Sequence, residues 1–119
     1  MTDSQGFGTR CVHAGQETAD PATGARAPPI YQTTSYVFED ADRAADLYAL
    51  EADGNVYSRF DNPTVSMLEQ RLASLENGTA AVATGSGMAA LDAGTSILAS
   101  AGDNIVTAAS IYGGTHSYF

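Results

Sequence analysis

The chain has 119 residues, 44% of them hydrophobic, a length and composition that suit one modest domain. The sequence contains no apolar run of the roughly 18 residues that a membrane span needs. Its 14 acidic residues outnumber 5 basic ones, and the net charge of -9 argues against nucleic acid as a partner. The first residues form no secretory signal, and Cys11 is the one cysteine, so we expect a cytoplasmic protein without an internal disulfide.

Residues 1–36 are predicted to form an extended arm without a helix or a central strand. Residues that break regular structure recur through it: Gly6, Gly8, Gly15, Pro21, Gly24, Pro28 and Pro29. The following segment IYQTTSYVF, residues 30–38, is rich in β-branched and aromatic side chains and is expected to be extended. Because so long an arm is unusual on one small domain, we expect it to clasp another subunit or further chain.

A first helix is predicted within residues 39–53. Alanine, leucine and tyrosine recur there at helical spacing, and acidic residues in the first turn favour the helix dipole. The pair Gly54-Asn55 is expected to end this helix, because both residue types accept the left-handed conformation found at helix C-termini.

A second helix is predicted to begin at Asn62-Pro63. Asparagine is a favoured N-cap, and proline at the first helical position loses no hydrogen bond. The pair Asn77-Gly78 is expected to end the helix. Its apolar face is formed by Met67, Leu68, Leu72 and Leu75.

The remainder is predicted to alternate between strands and helices. Residues 79–84 form a short apolar strand, residues 86–100 a helix capped by Ser86, residues 104–109 a second strand, and residues 111–119 a loop with a helix start. This order predicts an α/β unit with parallel strands and covering helices. Two parallel strands cannot form a complete sheet, so the architecture is expected to be incomplete.

The stretch VATGSGMAAL, residues 82–91, places a glycine-rich loop between a strand and a helix, which is typical of an anion site. A dinucleotide-binding fold would also need an acidic residue at the end of the next strand, and none is present there. A P-loop would need a lysine, and the chain has none. The glycines are also compatible with close packing of a strand on a helix and no ligand.

Three further residues extend the anion hypothesis. Tyr57 and Arg59 are two residues apart on a predicted loop, and a phenol beside a guanidinium suits a phosphate. Tyr112 follows the second predicted strand, where a ligand ring could stack on it. Taken singly, each residue is better explained without a ligand: Tyr57 as a packing residue, Arg59 as a surface charge and Tyr112 as a partly buried aromatic. Together they fit a phosphate and a flat ring, as in pyridoxal 5′-phosphate (PLP).

Five segments resemble the Cys/Met-metabolism enzymes that use PLP, in both order and spacing: VHAGQ, ARAPPIYQTTSYVF, YSRFDNPT, ATGSGMAAL and IYGGT. The resemblance runs from about residue 10 to residue 119. The arm is most similar to the O-acetylhomoserine sulfhydrylases, followed by the cystathionine γ-synthases and γ-lyases. The family implies a fold-type I (aspartate aminotransferase-like) transferase. Residues 1–36 would then be an intersubunit arm, and residues 37–119 the incomplete start of the large PLP-binding domain.

The resemblance also implies roles for the candidate residues. The backbone N–H groups of Gly87 and Met88 would bind the PLP phosphate, as the loop pattern itself indicates. Tyr57 and Arg59 would reach the phosphate in a neighbouring subunit of a homotetramer. Tyr112 would stack on the pyridine ring and would be available for proton transfer.

The implied reaction is γ-replacement, in which O-acetylhomoserine and sulfide give homocysteine for methionine and cysteine metabolism. That chemistry needs a lysine to bond the PLP aldehyde, and the chain contains none. We therefore expect this sequence to be the N-terminal part of a longer enzyme and to be inactive alone. The alternatives are a cystathionine γ-synthase or γ-lyase, or a non-catalytic remnant that pairs with a full-length homologue.

The other reactive residues carry weaker signals. Cys11 and His13 are two residues apart, but two ligands in an arm do not make a metal site, and no metal is expected. His116 is assigned to the surface, and Ser86 is a helix cap rather than a nucleophile. The acid-rich, lysine-free composition suggests a high-salt organism.

Overall fold

The computed structural model describes residues 5–119. The described part of the chain contains five helices: α1 (Phe7–His13), α2 (Ala41–Tyr48), α3 (Pro63–Glu76), α4 (Gly87–Leu98) and α5 (Gly113–Tyr118). The described residues up to Ala81 form one compact unit, and Val82–Phe119 form a second. In this described part, no helix has the length and hydropathy of a membrane span.

Helix α1 lies within the segment that was expected to be free of helices, so that prediction is wrong at Phe7–His13. The physical reason is its contact with α3. Arg10 donates hydrogen bonds to the carbonyl of Ser74 and, at 3.0 Å, to Oδ1 of Asn77. Arg71 of α3 donates from Nε to the carbonyl of Ala14 at 2.9 Å. These tertiary contacts offset the cost of about 1 kcal/mol that a glycine imposes within a helix.

The core of the first unit is small: two buried alanines lie where α1 meets α3, and Leu47 is buried on α2. Ala14 is 4% exposed and Ala73 is 9% exposed. The predicted apolar face of α3 is only partly covered by the described residues, since Leu68 and Leu72 remain 47% and 44% exposed.

Helix α2 ends earlier than the predicted Gly54-Asn55 boundary. Asp40 caps its N-terminus by accepting a hydrogen bond from the Arg43 N–H at 2.7 Å, and the helix stops at Tyr48. Leu50 then adopts a left-handed φ of 60°. This reversal brings Gly54 back over the buried Leu47, so closely that a Cβ at position 54 would lie 2.8 Å from Leu47 Cδ2.

Both ends of α3 confirm the predicted boundaries. Asn62 is the N-cap, with Oδ1 accepting from the Thr64 N–H at 2.9 Å, and Pro63 is the first helical residue. Asn77 forms the C-cap with a left-handed φ of 55°. Local capping chemistry therefore fixes this helix, as the sequence indicated.

The second unit contains α4 and α5, which contact each other. Ser86 caps α4 as predicted, its hydroxyl accepting from the Ala89 N–H at 3.1 Å. In the middle of this helix, Asp92 accepts a hydrogen bond at its carboxylate from the Tyr118 hydroxyl. No residue of Val82–Phe119 is buried, so these helices have an incomplete core within the unit.

The predicted parallel strands are not confirmed. Residues 79–84 and 104–109 carry no β-ladder, and within residues 5–119 the one β-pairing is an isolated antiparallel bridge between Ser35 and Tyr57. A strand exists only where a neighbouring backbone accepts and donates its hydrogen bonds. Val82 and Val106 are 82% and 97% exposed, so the apolar side chains of both segments lack a cover among the described residues.

Candidate functional site

The loop with Tyr57 and Arg59 is a compact turn before α3. The N–H groups of Phe60 and Asp61 both donate to the Tyr57 carbonyl, at 2.8 and 3.1 Å. Next to it, the Ser58 N–H donates to the carbonyl of Thr34 at 2.8 Å. The loop is therefore closed by its own backbone and joined to the extended segment of the arm.

The structure brings Tyr57 and Arg59 together as predicted. The guanidinium carbon of Arg59 lies 5.4 Å from the ring centroid of Tyr57 and 5.7 Å from that of Phe60. The two rings meet edge to face, with centroids 6.0 Å apart. Arg59 is thus held by cation–π contacts, which orient the guanidinium without using its N–H donors.

Arg59 differs from the other arginines of the chain. Each of the other four donates to at least one backbone carbonyl: Arg10 to Ser74, Arg26 to Gln16, Arg43 to Asp53 and Arg71 to Ala14. Within residues 5–119, Arg59 has no hydrogen-bond acceptor and no carboxylate partner, and it is exposed. Its donors are therefore available to an external anion.

A buried asparagine supports this loop, a role beyond the helix cap that its sequence position predicts. Asn62 is 6% exposed, and its Nδ2 donates to the Ser58 hydroxyl at 2.9 Å and to the Tyr31 carbonyl at 3.0 Å. The favoured N-cap position was readable from the sequence, but the direction of the amide group was not.

The glycine-rich loop of the second unit presents open backbone at the start of α4. A Cβ at Gly85 or Gly87 would meet no atom within 4 Å. The Ser86 hydroxyl accepts a hydrogen bond from the Ala89 N–H, and the Ser86 carbonyl accepts one from the Ala90 N–H. Within the described chain, the N–H groups of Gly87 and Met88 have no acceptor, as expected for a first helical turn.

These observations fit a phosphate at the start of α4. Within the unit, neither glycine is needed to avoid a clash, and the open backbone leaves room for a ligand to approach closely. The two free N–H groups and the helix dipole supply the polarity that an anion needs.

Tyr112 is the N-cap residue of α5, and its side chain is 75% exposed. Its ring lies against Gly114, where a Cβ would be 2.6 Å from Tyr112 Cε1. Within Val82–Phe119, no hydrogen bond or ring contact joins Tyr112 to the first turn of α4. The ring face is therefore available to a ligand, and Gly114 is a supporting residue that the sequence did not reveal.

Three other reactive residues lie outside these loops. His13 accepts at Nδ1 from Arg26 at 3.2 Å, and Asp103, in the turn after α4, accepts from the Ser100 N–H at 2.8 Å. Cys11 is a free, half-buried cysteine. No group of three potential metal ligands occurs in the part of the chain that the structure describes.

Two ionisable groups of the arm have shifted pKa values. The Thr23 hydroxyl and N–H, both donating to the Asp20 carboxylate, lower the pKa of Asp20 below its usual 3.8. Burial, with the nearby Asp20 charge, raises the pKa of Tyr31 above its usual 10.0. The hydrogen bonds from Thr23 that lower the pKa of Asp20 also close the turn at residues 20–25.

The family comparison agrees with the motifs. The sequence model of the family described as Cys/Met metabolism PLP-dependent enzyme matches residues 8–119. The chain is 51% identical over 117 residues to a homocysteine synthase of Schizosaccharomyces pombe and 54% identical over 113 residues to O-acetyl-L-homoserine sulfhydrylase 1 of Thermus thermophilus. These matches cover 98% and 95% of this chain but 27% of each relative. The chain thus spans about a quarter of the length of these curated relatives.

A solved structure gives the same result. A Campylobacter jejuni crystal structure, described as an O-acetylhomoserine (thiol)-lyase with N′-pyridoxyl-lysine-5′-monophosphate, matches with a TM-score of 0.85 and 41% sequence identity. The match covers 95% of this chain and 27% of that one. The family resemblance predicted from the sequence motifs is therefore confirmed.

Proposed function

This chain belongs to the family of PLP-dependent enzymes of Cys/Met metabolism, and we propose that it is the N-terminal part of a γ-replacement enzyme. The enzyme would make homocysteine from O-acetylhomoserine and sulfide. The names of the relatives support this choice, because those at 51% and 54% identity are a homocysteine synthase and an O-acetyl-L-homoserine sulfhydrylase.

The observation that carries the proposal is the unpartnered guanidinium of Arg59 beside Tyr57. A cation fixed over two rings, with its N–H donors free, suits a phosphate with several acceptor oxygens. We assign Tyr57 and Arg59 to the phosphate of PLP held mainly by a neighbouring subunit. The site would then be completed only in a homo-oligomer, which we propose to be a tetramer.

The second unit would supply the other contacts to the cofactor. The N–H groups of Gly87 and Met88 would donate to the phosphate, and Tyr112 would stack on the pyridine ring and hold or move a proton through its hydroxyl. When bound, PLP supplies an electron sink that allows a γ-substituent to leave and be replaced.

The lysine that bonds the PLP aldehyde would come from polypeptide beyond these residues, so the 119 residues alone would be inactive. The same additional chain would complete the parallel sheet, in which residues 79–84 and 104–109 would be strands. The exposure of Val82 and Val106 supports this, because both side chains need a cover. Residues 1–36 would act as the intersubunit arm, and residues 37–119 would begin the PLP-binding domain of a cytoplasmic enzyme.

The assignment of Arg59 is tested by titrating PLP into the protein at its native chain length. Arg59→Met should weaken PLP binding at least about tenfold, because a charge-assisted hydrogen bond contributes roughly 1.5–3 kcal/mol. Arg26→Met is the matched control, since it removes an arginine that binds carbonyls in the arm. Equal PLP affinity for the wild type and Arg59→Met would overturn the assignment.

The reaction is tested by product analysis of the same protein. Homocysteine formed from O-acetylhomoserine and sulfide supports the proposal. Cystathionine formed from cysteine and an activated homoserine would identify a cystathionine γ-synthase, and cystathionine cleavage would identify a γ-lyase.

The absence of lysine favours one alternative function, that of a non-catalytic remnant. Such a remnant would pair with a full-length homologue and contribute Tyr57 and Arg59 to its site. The subunit mass in the source organism separates the two. A subunit several times heavier than a 119-residue chain supports the enzyme, and a subunit of this size supports the remnant.

A further inference from the structure

We propose that Asn62 is a positioning residue for Tyr57 and Arg59, an inference that rests on the function proposed above. Its side-chain amide fixes the loop on which the two phosphate ligands stand, in addition to capping α3.

Asn62 is the one polar side chain that is buried among residues 5–119, with 6% exposure. A buried amide is stable only when both its donor and its acceptor are satisfied. Oδ1 accepts from the Thr64 N–H at 2.9 Å, which is the capping contact. Nδ2 points the other way and donates to the Tyr31 carbonyl at 3.0 Å and to the Ser58 hydroxyl at 2.9 Å, with the Tyr36 hydroxyl at 3.4 Å.

Ser58 connects this amide to the proposed ligands. It lies between Tyr57 and Arg59 in the chain, its N–H donates to the Thr34 carbonyl at 2.8 Å, and its hydroxyl donates to the Thr33 carbonyl. The same hydroxyl accepts from Asn62 Nδ2. Ser58 is therefore hydrogen-bonded both to the arm, through Thr33 and Thr34, and to the start of α3, through Asn62.

Arg59 has no polar anchor of its own in the described chain, only the rings of Tyr57 and Phe60. Its position thus depends on the loop backbone, and the loop backbone depends on Ser58 and Asn62. Without the hydrogen bond between Ser58 and Asn62, Tyr57 and Arg59 would still be present, but their relative positions would no longer be fixed for binding one phosphate.

The capping role does not by itself require asparagine. Serine and aspartate cap helices about as well, because each presents a side-chain oxygen to the first turn. Asparagine alone among them also presents two N–H donors. The positioning role therefore depends on the Nδ2 donor of Asn62. A substitution can remove that donor and still keep an oxygen that caps α3.

The test uses Asn62→Asp and Asn62→Ser in the protein at its native chain length. Both keep a cap oxygen and lose the Nδ2 donor, and the serine variant does so without adding charge. We expect each to weaken PLP binding about tenfold and to move the ³¹P resonance of bound PLP, while α3 stays folded by circular dichroism. Ser58→Ala removes the acceptor of the same contact and should act in the same direction.

Asn77→Ala is the matched control. It makes the left-handed C-cap conformation at the other end of α3 less favourable, removes the side-chain contact to Arg10, and destabilises the same helix without touching the loop. Its PLP affinity and ³¹P resonance should equal those of the wild type. If Asn77→Ala weakens PLP binding as much as Asn62→Ser does, loss of helix stability explains the effect and the inference is wrong.

A double-mutant cycle with Arg59→Met separates the two proposals. If Asn62 acts through Arg59, Asn62→Ser should weaken PLP binding much less in the Arg59→Met background than in the wild type. Equal effects in both backgrounds would overturn the positioning role. If Arg59→Met alone leaves PLP affinity unchanged, the proposed function of the loop fails and the inference with it. If Arg59→Met weakens binding and the Asn62 variants do not, only the inference fails.

Discussion

The ring of Tyr112 lies so close to Gly114 that a Cβ on residue 114 would be 2.6 Å from Cε1 and 3.2 Å from Cδ1. Gly114 is the second residue of α5 and has no positive φ, so its backbone would accept alanine. The absence of a side chain at position 114 is therefore what allows the Tyr112 ring to take its observed orientation.

Gly114→Ala should displace the Tyr112 ring and weaken PLP binding roughly 3- to 10-fold, the value of one aromatic contact. The free energy of unfolding should change by less than about 1 kcal/mol, because alanine suits a helix better than glycine. PLP titration and chemical denaturation measure the two effects. Gly113→Ala is the control, since a Cβ there meets nothing within 4 Å. Equal PLP affinities for the two variants would show that the Tyr112 orientation does not matter.

Phe60→Leu should loosen Arg59 by removing one of its two rings. The Arg59 guanidinium carbon lies 5.7 Å from the Phe60 centroid, and an exposed cation–π contact contributes about 0.5–1 kcal/mol. We expect PLP affinity to fall roughly 2- to 5-fold. Phe38→Leu removes a ring that meets Tyr48, with centroids 6.2 Å apart, and serves as the control. A loss of affinity that is the same in both variants would contradict the role of Phe60.

Gly15→Ala should destabilise the protein more than Gly24→Ala. Both glycines have left-handed φ values, 78° and 71°, so alanine costs about 1–2 kcal/mol at either position. At Gly15 the new Cβ would also lie 2.6 Å from the Met67 carbonyl oxygen, whereas at Gly24 it would meet nothing within 4 Å. Denaturant unfolding of both variants gives the comparison. Equal losses of stability in Gly24→Ala and Gly15→Ala would show that the left-handed backbone conformation, and not the clash with Met67, determines the effect.

The turn at residues 20–25 should open in acid. Since hydrogen bonds from Thr23 lower the pKa of Asp20 in the folded state, the carboxylate stabilises the turn above pH 3.8. That contribution is lost as the pH falls through the lowered folded pKa. Hydrogen exchange should show reduced protection of the Ala22 and Thr23 amides in acid, after correction for the intrinsic pH dependence.

Asp20→Asn is the control for this turn, because its amide cannot titrate. In that variant the protection of the two amides should not change with pH across the acid range. A wild-type protein with constant protection from pH 7 down to pH 2 would contradict the role of the carboxylate.

Much of the helix pattern was readable from short sequence signals. Asn62-Pro63, Asn77 and Ser86 mark helix ends in the structure as they do in the sequence. The pairing of Tyr57 with Arg59 follows from their spacing on one short loop. The roles of Tyr57, Arg59, Gly87, Met88 and Tyr112 in PLP binding stay predictions.

Other features could not be read locally. Helix α1 depends on Arg10, which reaches Ser74 across 64 residues of sequence. The early end of α2 depends on the chain folding back over Leu47. Neither contact leaves a signal in its own segment. Gly8, which lies within α1, even argues against the helix that forms.

The sequence by itself determined the family, the helix caps and the residue types of the proposed phosphate site, because each of these is carried by short local patterns. The tertiary structure decided which arginine is free, which way the Asn62 amide points and why Gly114 must lack a side chain. Within residues 5–119, four arginines donate to backbone carbonyls and Arg59 does not, and only the folded chain shows which carbonyls are within reach. Hydrogen-bond partners distant in sequence are chosen by packing, which no local pattern encodes.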